Sequence, residues 1–184
     1  GTLGANAQLS LGVAKSSSQR NQMMVSDRDN VITSETYEVH DSDFLTRFLT
    51  VGGAEDWALD YVGANATSFS YNITNAAPGV RYCVFLALNG ILSDTSTFLK
   101  TTTAANATQV ISGLSFSSVG GIFFGGNLIA YSTITATNQL AVGATDTSNE
   151  VVAWAASRQS FTSSLCRIFA TSTKLYHTAL ASTT

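Results

Sequence analysis

VFLALNGILSDTSTF, Val84 to Phe98, runs apolar, meets Asn-Gly, runs apolar again and ends in small hydroxyl residues. Asn89-Gly90 is a strong short signal for a β-hairpin, because both central residues of a type I′ turn need positive φ. GIFFGGNLIAYSTITAT, Gly121 to Thr137, repeats the pattern with Gly125-Gly126-Asn127 at the turn. The surrounding sequence agrees with a β reading. SFSYNITN alternates, with Phe69, Tyr71 and Ile73 on one face and Ser70, Asn72 and Thr74 on the other, as in a half-buried strand. AAPG turns the chain, and VRYCVFLAL is apolar on both faces, as a strand inside a sandwich is.

Further strands are expected at TQVISGLSFSSV, GIFF, NLIAYSTITAT, EVVAWAASR and SSLCRIFATS. TNQLAVGATDTSNE reads as a loop with a short strand in it, and Trp154 reads as core. The expected fold is all-β: a jelly-roll or β-sandwich of roughly seven to nine antiparallel strands with an extended N-terminal arm. No amphipathic helices alternate with the strands, which disfavours a parallel α/β fold.

The front of the chain reads differently. Its small residues and KSSSQRNQ predict an extended arm or linker over residues 1–30, followed by the β-domain over 31–184. The alternation from Val31 to Val39 predicts a strand. Phe44, Leu45, Phe48 and Leu49 have helical spacing, and Asp41 to Asp43 could cap a short helix there.

Charged residues make up 11% of the 184, against roughly a quarter in an average globular protein. Solubility then rests on Ser, Thr, Asn and Gln, a balance suited to extracellular and virion proteins. Nine of the twelve acids fall in the segment 27–60. The net charge is −3 and no Lys/Arg run exists, so a phosphate-neutralising patch for nucleic acid is not expected. No apolar run approaches the ~20 residues of a membrane helix, and no membrane insertion is expected. The chain begins at Gly1 without Met and reads as a fragment or a processed product.

Candidate chemistry is sparse, and no catalytic residue is expected. His40 and His177 lie in no nucleophile motif, and GGIFFGG lacks the lysine and spacing of a phosphate loop. Glu55, Asp56 and Asp60 could supply the two carboxyl groups of a glycosidase, against a solvated loop as the simpler reading. Asp27 with Asp29, and Asp41 with Asp43, form two Asp-x-Asp pairs whose carboxylates share one side of an extended segment and suit calcium; turns and capping are the alternative. No organic cofactor is expected. Cys83 and Cys166 read as buried free thiols, or as a disulfide between neighbouring strands. Sequons at Asn65, Asn72 and Asn106 arise readily in so threonine-rich a chain. Trp57 and Tyr61, beside the acidic segment, are the candidates for an exposed aromatic platform contacting a receptor or glycan.

FSYNITNAAPGVRYCVFLALNG, GGNLIAYSTITAT and SSLCRIFATS, within residues 68–170, resemble the projecting domain of coat proteins from small non-enveloped RNA viruses of the tombusvirus and nodavirus-like kind. The same syntax is similar to phage tail-fibre tips. The resemblance implies a jelly-roll spike on the virion surface that assembles as a dimer or trimer and touches a host receptor or glycan. Without a basic RNA-packing arm, the chain would be the outer spike alone, or not a coat protein at all. The Asp-x-Asp pairs resemble calcium sites between coat subunits. Two rival expectations are a secreted or phage-borne carbohydrate-binding adhesin and a β-sandwich glycan hydrolase or lyase.

Overall fold

The computed structural model describes residues 6–28, 35–50, 52–76, 83–84, 86–87, 94–95, 110–126, 132–135, 137–146, 148–158 and 167–173. Among the described residues the chain is all-β, with ten strands in three antiparallel sheets and no helix. The first sheet has the order β1 (Asn6–Ser16), β2 (Gln19–Arg28), β3 (Glu35–Asp41). The second has the order β4 (Thr46–Leu49), β5 (Glu55–Ala64), β6 (Phe69–Asn75). The third comprises β7 (Gly121–Gly125), β8 (Thr137–Thr145), β9 (Glu150–Arg158) and β10 (Arg167–Thr171), in the order β10-β9-β8-β7.

Several expectations are corrected. The supposed arm holds a long hairpin, β1 with β2, closed by Ser17 and Ser18 and registered from Asn6↔Arg28 to Ser16↔Gln19. Leu9, Leu11 and Val13 already alternate with Ser10, Gly12 and Ala14, and this period of two outweighs the small-residue composition. The helix expected after Asp41 is strand β4, because Phe48 and Leu49 are drawn into pairing with β5. TQVISGLSFSSV has no strand over its described part, Val110 to Val119. Within TNQLAVGATDTSNE the expected short strand is β8, nine residues long. β7 pairs with β8, so residues 126–136 intervene where a tight turn was expected at Gly125-Gly126-Asn127. Val84 and Leu86 of the opening stretch are exposed and outside any strand, whereas Asn89-Gly90 lies outside the described residues.

Among the described residues two apolar clusters form the core. Met24, Val39 and Leu49 join the first two sheets, with Tyr37 and Ile134 packed against them. Ala141, Val152, Trp154 and Ala156 lie on the inner face of the third sheet. Gly12 is required where β1 passes the segment before β4, since a Cβ there would collide with the Leu45 carbonyl oxygen. The outer face of the third sheet is apolar throughout its middle. By strand alternation it carries Ile122 and Phe124 on β7 and Leu140, Val142 and Ala144 on β8. Val151, Ala153 and Ala155 on β9, with Ile168 and Ala170 on β10, continue it.

Met24→Ala removes a fully buried side chain and is expected to cost about 2–5 kcal/mol in urea unfolding. Ile73→Ala, on a side chain 62% exposed, is expected to stay within about 0.5 kcal/mol of the parent.

Candidate functional site

On β5, Trp57, Leu59 and Tyr61 lie on one face, since side chains alternate along a strand. Trp57 is only 6% exposed and stacks on Phe48 at 4.9 Å between ring centroids and 16° between planes. It therefore belongs to the core and not to an exposed platform. Leu59 is buried beside it. The same face then runs out into solvent. Tyr61, half-buried, sits directly opposite Tyr71 of β6, and the Phe69 ring lies 6.2 Å from that of Tyr71 at a tilt of 39°. Tyr71 is 47% exposed. Among the described strands β6 is the last of its sheet. Extra residues at Val62 in β5 and Thr74 in β6 interrupt the ladder and twist this edge. Tyr61 is thus kept as a contact candidate, joined by Tyr71 and Phe69, which the alternation of SFSYNITN had placed on a half-buried face.

The carboxylates near this strip are tied into the fold. Glu55 meets Arg47 Nε at 2.8 Å and accepts from Asn75 Nδ2 at 3.2 Å. Asp60 meets Arg20 Nε at 2.6 Å. Asp56, next to Glu55, occupies the extra position in β5 opposite the Phe48–Leu49 step. Glu55 and Asp60 therefore serve as struts to two different arginines.

Asp27 and Asp41, one from each Asp-x-Asp pair, are not brought together. Asp41 is fully buried and accepts from Gln22 Nε2 at 2.8 Å, Arg47 Nη1 at 3.3 Å and the Asp43 and Phe44 N–H groups at 3.2 and 3.1 Å. This is a turn held by an aspartate, the alternative to a cation site. Asp43 is exposed and its carbonyl accepts from Arg20 Nε at 2.9 Å. Asp27 pairs with Thr36 at the opposite end of the β2–β3 ladder from Asp41, and by alternation on the opposite face. Asp29 lies outside the described residues. Among the described residues no three His, Cys, Asp or Glu side chains gather as a metal site.

Asp94 tethers distant segments to the first hairpin. It accepts from the Ser115 N–H and Oγ, both at 3.0 Å, and meets Lys15 Nζ at 3.2 Å and the Gln19 amide. The Ser115 N–H, then the Ser115 hydroxyl, Lys15 and Gln19, hold its carboxyl well below the usual aspartate range, against an opposing desolvation. Cys83 is an exposed free thiol and not a buried one. Asn65 and Asn72 are exposed; Cys166, His177 and Asn106 lie outside the described residues.

No family model, no curated protein and no solved structure matches this chain.

Arg47→Ala leaves the buried Asp41 carboxylate without its cation, and unfolding by denaturant is expected to register a loss of about 3–5 kcal/mol. For Asp94 the folded-state pKa is lowered, so its contribution is present above the unfolded value near 3.9 and lost as pH falls below it. Amide exchange at Thr95 and Ser115 should therefore accelerate relative to strand amides below about pH 4. Asp94→Asn should speed the same two amides at neutral pH.

Proposed function

We propose that this chain is a virion-surface structural module, the outer projecting domain of a viral coat protein with a jelly-roll-like β-fold, acting in subunit assembly and attachment to a host receptor or glycan. The observation that carries the reading is the aromatic strip of Phe69 and Tyr71 on β6 with Tyr61 beside them on β5, half-buried at Tyr61 and Phe69 and exposed at Tyr71. Aromatic side chains offer large, rigid contact area and anchor interfaces. A low charge content suits a surface that recognises partners through apolar and hydroxyl groups. The carboxylates nearest the strip brace the fold, which favours contact over bond cleavage.

The same strip favours a second reading, a carbohydrate-binding adhesin, because sugar rings stack on exposed Tyr and Phe.

Antibodies raised against the chain should label the outside of intact particles from the source material, and binding of the purified chain to host-cell surfaces should fall at least about tenfold with Tyr71→Ser, at unchanged melting temperature. Particles without the chain would overturn the coat-protein reading. Glycan-array binding by a chain absent from particles would establish the adhesin instead.

A further inference from the structure

We infer that the open edge of β6 is a strand-addition site: an extended segment of a partner protein pairs there as a further strand of the β4–β5–β6 sheet, its alternate apolar side chains lying along Tyr71 and Ile73. The inference deepens the attachment half of the proposed function, on which it rests for the partner being the host receptor.

On an edge strand every second residue turns both its N–H and its C=O away from the sheet. Among the described residues, Ser70 to Asn75 make no backbone hydrogen bond outside the ladder to β5, and Ser70 to Thr74 are exposed. The edge is therefore a row of donors and acceptors left to water. Its sequence there, SYNIT, has no charge, proline or glycine, the residues that usually blunt such an edge. The other described edges carry some protection. β3 is bonded to Thr135, and β4 has four residues and includes Arg47. β7 begins and ends in glycine, β10 begins at Arg167, and β1 carries Lys15.

Spacing selects the occupant. Outward-turned residues recur every two positions, about 6.6 Å apart, which is the repeat of a second extended chain. A sugar can stack on Tyr71 but has no matching row of alternating N–H and C=O groups. A strand added about 4.8 Å from β6 sets its alternate side chains beside Tyr71, 47% exposed, and Ile73, 62% exposed. Those positions suit valine, isoleucine or tyrosine. The intervening positions meet Ser70 and Asn72 on the opposite face and suit threonine or serine. The partner segment is thus uncharged, free of proline and alternating. About three residues of β6 turn outward, so a short peptide alone binds weakly, with Kd roughly 10 μM to 1 mM.

Uncharged peptides of about eight residues, threonine alternating with valine, isoleucine or tyrosine, are the probes. Titrated into the full chain, at least one should slow exchange of the outward-turned β6 amides at least about tenfold while leaving β9 unchanged. N-methylation of alternate peptide amides, one set and then the other, isolates main-chain pairing: one set should weaken binding at least about tenfold and the other should not. Outward-turned β6 amides already protected in the free chain, no binding by any of the peptides, protection elsewhere than on β6, or equal effects of the two methylated sets would each overturn the inference. Tyr71→Ser that lowers host-cell binding in a chain that takes no peptide would remove strand addition and leave attachment standing. Host-cell binding indifferent to Tyr71→Ser would remove attachment, while peptide protection of β6 would keep the strand-addition site.

Discussion

Glu38 is the joint on which the placement of the third sheet depends. Its side chain has no exposure to solvent. One carboxylate oxygen accepts the Gln139 N–H of β8 at 2.9 Å, and the other lies 2.9 Å from Nε2 of His40. Its backbone exchanges hydrogen bonds with Thr135, N–H to carbonyl in both directions, at 3.1 and 3.0 Å. A carboxylate removed from water is costly unless each oxygen finds a donor. Those donors come from β3 and β8, so the acid is tolerated only when the two sheets sit in one relation. Gly126 is part of the same constraint, because a Cβ there would strike the Glu38 carboxylate. Ser132, at φ 56°, turns the chain and donates its N–H to the His40 carbonyl at 2.6 Å, which sets up the approach to Thr135.

Arg47 does the corresponding work between the first two sheets. It reaches Asp41 at the end of β3 and Glu55 at the start of β5, and its guanidinium sits 5.5 Å above the Phe44 ring. Its own N–H donates to Ser10 Oγ on β1 at 3.3 Å, and Gln8 Nε2 donates to the Leu49 carbonyl at 2.6 Å. The apolar clusters are small, so these polar struts decide orientation more than they add bulk stability. A consequence reaches the surface. Glu55 and Asp60 are spent on bracing, and among the described residues the aromatic edge at β6 and apolar side chains of β7–β10 are exposed.

Local pattern was legible where one period dominated. β6 stands where the alternation of SFSYNITN placed it, β9 stands where EVVAWAASR was expected as a strand, and Trp154 is buried. The β1–β2 hairpin was equally written in the alternation of Leu9, Leu11 and Val13, but glycine, serine and alanine masked it as a linker. The segment after Asp41 carried helical spacing, and pairing with β5 overrode it, since a four-residue stretch has too little intrinsic helix stability to resist a neighbouring strand. The aromatic site was half legible: Tyr61 was singled out, while its partners Tyr71 and Phe69 were read only as sharing one face of a half-buried strand. Strand alternation shows which residues share a face but not whether anything covers it.

What the sequence alone determined is the chemistry of the chain: β structure from period-two alternation, few charges, and no cluster of reactive groups in sequence. Those properties are local, carried by residues a few positions apart. Tertiary structure alone decided that Glu38 would be buried, that Trp57 would stack on Phe48, and that Glu55 and Asp60 would meet different arginines. Each of those outcomes depends on which strands pair and which sheets lie against one another, and that is set by long-range pairing of donors, acceptors and apolar faces that no short window of residues contains.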